Sequence, residues 1–203
     1  MGELYKLFNC SPFADYLQHA TYPLSSTNKP QVKLATIETL QHIKNVIADT
    51  TVPSWVGSVP RNFGDAAAGT LRADEWRTLG TIYLPLALIS IWGQGTPHKS
   101  DYEGFRASQV LNHTMLLVSA VNIASKHSVS KSRSFDYLDQ MSQYLSGLQV
   151  THPDATFRPY HHLALHLPHF FQLFGPSRCF WTYPFERVIG RIQRLLSNHQ
   201  IGM

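Results

Sequence analysis

The chain has 203 residues, 43% of them hydrophobic, enough to bury the core of one large domain or of one and a half small ones, so a disordered chain is excluded. Seventeen basic residues against thirteen acidic ones leave a net charge of +4, too small to mark the whole surface for a polyanion. Its two cysteines, Cys10 and Cys179, are far apart and outside any C-x-x-C spacing, which excludes a disulfide framework and a complete zinc finger.

The N-terminus, MGELYKLFNCSPFADYLQHA, lacks a basic start, an apolar run and a small-residue cleavage site, so export is not expected and the reading is an intracellular protein. Apolar residues recur at helical spacing nearly everywhere and alternating strand-like runs are scarce, which predicts a mainly α fold. The first clear helix covers Gln31–Ala48, where Leu34, Ile37, Leu40, Ile43, Val46 and Ile47 form one stripe. It belongs to an N-terminal helical segment, 1–50, ahead of a helical domain spanning 51–203. The loop 50–71 follows, broken by Pro53, Gly57, Pro60, Gly64 and Gly69. Trp55, Val56, Val59 and Phe63 are expected to pin it to the domain.

Asp74 and Glu75 mark the start of the next helix, since acids in the first turn suit its positive end. That helix enters the most apolar window, Leu79–Gly93, which is about fifteen residues and shorter than the roughly twenty a bilayer span needs. A buried core helix, kinked or divided at Pro85, is the expectation, with no membrane partner. Two longer helices follow, roughly Tyr102–His127 and Phe135–Val150, the second with Leu138, Met141, Tyr144, Leu145 and Leu148 along one side.

The chemistry is concentrated in the His-rich segment 157–196, FRPYHHLALHLPHFFQLFGPSRCFWTYPFERVIGRIQRLL. It carries His161, His162, His166 and His169 with a single carboxylate, Glu186. On a helix His162 and His166 share a face while His161 points away, so these two are the candidate metal-ligand pair. Two imidazoles are half of a zinc site, and the other ligands would have to be Cys179, a distant side chain or residues of another chain. Pro168 should end or bend that helix near His166. Pro184 suits the start of a C-terminal helix with Glu186 in its first turn and Arg187, Arg191 and Arg194 at i, i+4 and i+7. With Arg178, this stripe could meet successive phosphates or form a solvated face. Phe170, Phe171, Phe174, Phe180 and Trp181 make the alternative: a helical protein–protein interaction or oligomerisation domain that does not bind DNA.

HHLALHLPHFFQLFGPSRCFWTYPFERVIGRIQRL resembles the domain of unknown function that follows the catalytic core in CACTA-class (En/Spm) DNA transposases of plants and basidiomycete fungi. VPSWVGSVPRNFGDAAAGTLRADEWRTLGTIYLPLALISIWG is similar to the W-[IV]-G…G-x-L-x-A-D-x-W-R segment of the fungal versions, and together the two stretches cover most of Pro53–Leu196. The resemblance implies the helical insertion of an RNase H-like transposase, followed by its last catalytic helix. Parent enzymes hold two divalent metals, Mg²⁺ among them, on three acids. On that pattern Glu186 is the third catalytic acid and His162 with His166 the closing half of a zinc site. Trp76 compares with tryptophans set against a flipped base.

Strands carrying the first two acids and a C-x-x-C are missing ahead of the helical part, and one acid cannot hold two ions. The expectation is a non-catalytic remnant or C-terminal fragment, nuclear if DNA-associated. Its partners would be DNA and the missing N-terminal transposase core or a second copy of itself.

Overall fold

The computed structural model describes residues 34, 36–65, 71–98, 100–152, 155–182, 185 and 188–192. These residues are mainly helical, and no strand occurs among them. No helix among them is long and apolar enough to cross a membrane.

Helix α1, Ile37–Asp49, begins later than the stripe predicts. Thr36 is extended and its Oγ1 accepts from Thr39 N at 3.2 Å, while Thr39 Oγ1 donates to Leu34 O at 2.7 Å. This cap satisfies an otherwise orphaned helix N–H and so sets the first turn at Ile37. Leu40, Ile43 and Ile47 are buried in the same core as the rest of the domain. Of the expected loop anchors, Val59 and Phe63 are buried, with the Phe63 ring edge-on to Trp76 at 6.0 Å. Trp55 is not an anchor: it is 85% exposed. Gly64 has φ +79° and packs against Leu40, whose Cδ1 would lie 2.8 Å from an added Cβ. The backbone requires glycine there, and a side chain would also push on Leu40.

The apolar window is divided by a wide turn just ahead of Pro85. Helix α2, Ala73–Thr78, passes through a π-helical turn, Leu79–Tyr83, into α3, Leu84–Trp92. The Leu84 N–H reaches back five residues to Leu79 O, so Pro85 falls in the first turn of α3, where its missing donor costs little. Trp76, Leu79, Tyr83, Ala87 and Leu88 face the core.

Helix α4, Asp101–Ala124, and α5, Lys131–Thr151, are the scaffold. Each is capped by a serine: Ser100 Oγ accepts from Glu103 N at 3.1 Å, and Ser130 Oγ from Arg133 N at 3.2 Å. Arg106 Nη2 donates to Thr151 O and His113 Nε2 to Tyr144 O, pairings that run in opposite chain directions, so α4 and α5 are antiparallel. Two short helices pack against α5. In α6, Pro159–Leu165, the carbonyl of Ala164 accepts from Tyr137 Oη at 2.9 Å. In α7, Leu167–Phe174, the buried Phe171 packs edge-on to Tyr137 at 5.8 Å. The break expected at Pro168 is present: His166 closes α6 and opens α7, and Pro168 stands in the first turn of α7. After Gly175, at φ +78°, a 3₁₀ turn covers Ser177–Cys179.

Candidate functional site

His162 and His166 lie at the α6–α7 corner, exposed, with their Nε2 atoms 3.0 Å apart and rings at 76°. At that distance one Nε2–H donates to the lone pair of the other, so the contact holds while at least one imidazole is neutral. Among the described residues no three His, Cys, Asp or Glu side chains converge on a point that could hold a metal ion. Cys179, exposed on the 3₁₀ turn, is therefore not assembled with the pair into a third ligand. His161, expected to face away, is buried: its Nδ1 accepts from Arg158 N at 2.9 Å, which places the proton on Nε2.

The 3₁₀ turn is fastened to the C-terminal end of α4. Ser177 Oγ donates to Ala124 O, and Arg178 Nε donates to Ser125 O at 3.2 Å. Those carbonyls are among the groups that a helix end leaves without partners, and a cation there matches the negative pole. The Arg178 guanidinium also lies 4.8 Å from the centre of the Trp181 ring. Burial, and then the charge of Arg77 nearby, hold Arg178 below its ordinary value. Arg178 therefore has a structural role beyond the charged surface role expected from sequence.

Trp76 is fully buried among core residues, so the comparison with a base-contacting tryptophan gives way to a packing role. Arg191 is exposed on helical residues near the C-terminus. Glu186, Arg187 and Arg194 lie outside the described residues. In the aromatic set, Phe171 is core. Phe170 and Phe180 pack partly against the core, and Phe174 is 57% exposed, with its ring 6.0 Å from Phe180.

A second polar cluster was not singled out from the sequence. His113 of α4 stacks on Tyr144 of α5 at 4.6 Å and donates to its carbonyl at 2.8 Å, and His152 lies 5.5 Å from His113. Gly147 makes room for this contact, since an added Cβ would come within 3.0 Å of His113 Cδ2. Burial holds His113 below the usual histidine value. Burial, then the neighbouring His113 and Arg106, push His152 down to about 4. Burial and Arg158 also lower His161. The available sequence signal was the position of His113 on the buried face that carries Val110, Leu117 and Val121.

No protein-family model matches this chain, and neither a curated protein nor a solved structure matches it.

Proposed function

We propose that this chain is a non-catalytic remnant or C-terminal fragment of a CACTA-type DNA transposase that associates with nucleic acid through its arginine-bearing C-terminal segment. The supporting observation is charge distribution: Ala155–Met203 holds five arginines and no lysine, against Glu186 alone. Arg191 is exposed, which suits phosphate contacts that position a protein without reading bases. One carboxylate does not make a two-metal centre, so strand cleavage is not part of the proposal.

Mobility shift of duplex DNA tests it. Binding should weaken with salt by a log–log slope of about 0.9 per phosphate contact, and charge reversal of Arg187, Arg191 and Arg194 should remove most of it. Absence of any shift at low salt refutes the proposal.

A second reading, a helical interaction module without DNA binding, is favoured by one feature. Phe185, Val188, Ile189 and Ile192 follow i, i+3, i+4 and i+7 and are all exposed, the pattern of a helix that lays one face into a groove. Concentration-dependent self-association lost in Val188→Glu would establish it, and a monomer at all concentrations would count against self-association.

A further inference from the structure

His162 and His166 bring their Nε2 atoms to within 3.0 Å of each other on the exposed side of the α6–α7 corner. The backbone that carries them is fixed from the inside. Ala164 and Leu167 are buried, and the Ala164 carbonyl accepts from Tyr137 Oη at 2.9 Å. The His166 N–H donates to Leu163 O at 3.1 Å, while the His166 carbonyl accepts from His169 N at 3.0 Å and from Phe170 N at 3.3 Å. Packing of α6 and α7 on α5 therefore sets the two imidazoles side by side, and a ligand that needs both finds them already placed.

Two imidazole nitrogens this close suit one shared proton or one metal ion. Metal–imidazole bonds of about 2.0–2.1 Å put two ligating nitrogens about 2.9 Å apart at a right angle and about 3.3 Å apart at a tetrahedral angle. The observed 3.0 Å lies nearer the right angle, the geometry of square-planar, tetragonal and octahedral ions. Each ring offers its Nε2 lone pair once its proton sits on Nδ1, a change of tautomer in one ring that releases no net proton.

We propose that His162 and His166 form a two-nitrogen chelate for a divalent transition-metal ion of tetragonal preference, Cu²⁺ foremost, with water on its remaining positions. Imidazole donors disfavour Mg²⁺ and Ca²⁺, which prefer oxygen, and among first-row divalent ions a given nitrogen site holds Cu²⁺ most tightly. The chelate differs from the closing half of a four-ligand zinc site because it is complete within this corner: no third His, Cys, Asp or Glu side chain joins the pair among the described residues. It does not rest on the nucleic-acid reading, since neither imidazole belongs to the arginine stripe.

The test titrates the full chain with Cu²⁺ alone, followed by calorimetry and by the electron paramagnetic resonance of the bound ion. Wild type should take up one ion per chain at its tightest site, with a tetragonal signal coupled to two equatorial nitrogens. His162→Gln and His166→Gln should each weaken that site by about tenfold or more, because the second imidazole binds at the high effective concentration the corner provides. Both positions are exposed, so the variants should melt as wild type does without metal. Cu²⁺ should raise the melting midpoint of wild type more than that of either variant. His169→Gln, also exposed and on the next turn, should bind as wild type.

Equal affinities in wild type and the two single variants overturn the proposal. So does a loss as large in His169→Gln, or one ion shared by two chains, since either would place the ligands outside the pair.

Discussion

Acid should loosen this protein through His152. In the folded chain its pKa is pushed down to about 4 by burial, by His113 and by Arg106, whereas in the unfolded chain it returns to the ordinary histidine value of about 6.5. The unfolded state therefore binds a proton at a pH where the folded state refuses it, and stability falls as pH drops below about 6.5, the loss complete below about 4. At pH 5 the unfolded chain gains about 2.0 kcal/mol from this proton and at pH 7 about 0.2, so His152 alone removes about 1.8 kcal/mol between the two. His113 and His161, also held low, act in the same direction.

The assay is urea unfolding across pH 5–7 for wild type and His152→Gln. The glutamine keeps a polar side chain of similar reach that does not titrate, so its absolute stability will differ while its pH slope should flatten by about that 1.8 kcal/mol. If both proteins show the same slope, His152 is not held neutral in the fold and the account of the cluster is wrong.

Gly147→Ala should show a reversal of sign. In wild type the new methyl displaces the His113 imidazole from Tyr144 O, and losing a buried hydrogen bond of about 1–3 kcal/mol outweighs the helix propensity gained. With His113→Ala as background the space is open, and the same change should stabilise by about 0.8–1 kcal/mol in denaturant melts. Destabilisation in both backgrounds would show that the histidine contact is not what requires glycine. Trp76→Ala should cost about 3–5 kcal/mol, because the indole is fully buried, and in a variant that still folds it should leave DNA affinity unchanged. A variant that folds with wild-type stability but binds DNA poorly would restore the base-contact role.

The helices were legible because their signals are local. Apolar spacing located α4 and α5 within a few residues and the end of α1 within one, but set the start of α1 too early, and Pro168 marked the corner between α6 and α7. Boundaries moved where a side-chain cap decided them, as Thr36, Ser100 and Ser130 did. Pro85 had a local meaning too, but its remedy, a π turn ahead of it, depends on which side of the helix must stay in the core. The loop residues were harder to place. Val59 and Phe63 are buried and Trp55 is not, and nothing in their composition separates them.

The amino-acid sequence by itself determined the helical class, the neutral window too short for a membrane span, and the polarity of a C-terminal segment rich in arginine and histidine. It also determined that His162 and His166 share a helix face, because a four-residue spacing permits little else. Only the tertiary structure decided which polar groups meet across elements. His113 meets Tyr144 and His152, Arg77 lies within the field of Arg178, and the buried Trp76 meets Phe63 of the loop edge-on. The reason is physical: spacing along a helix follows from a fixed rise and turn, whereas contacts between helices depend on how the whole core packs. A single glycine, Gly147, decides one of them by letting α5 come close enough to α4 for a buried histidine to find its acceptor.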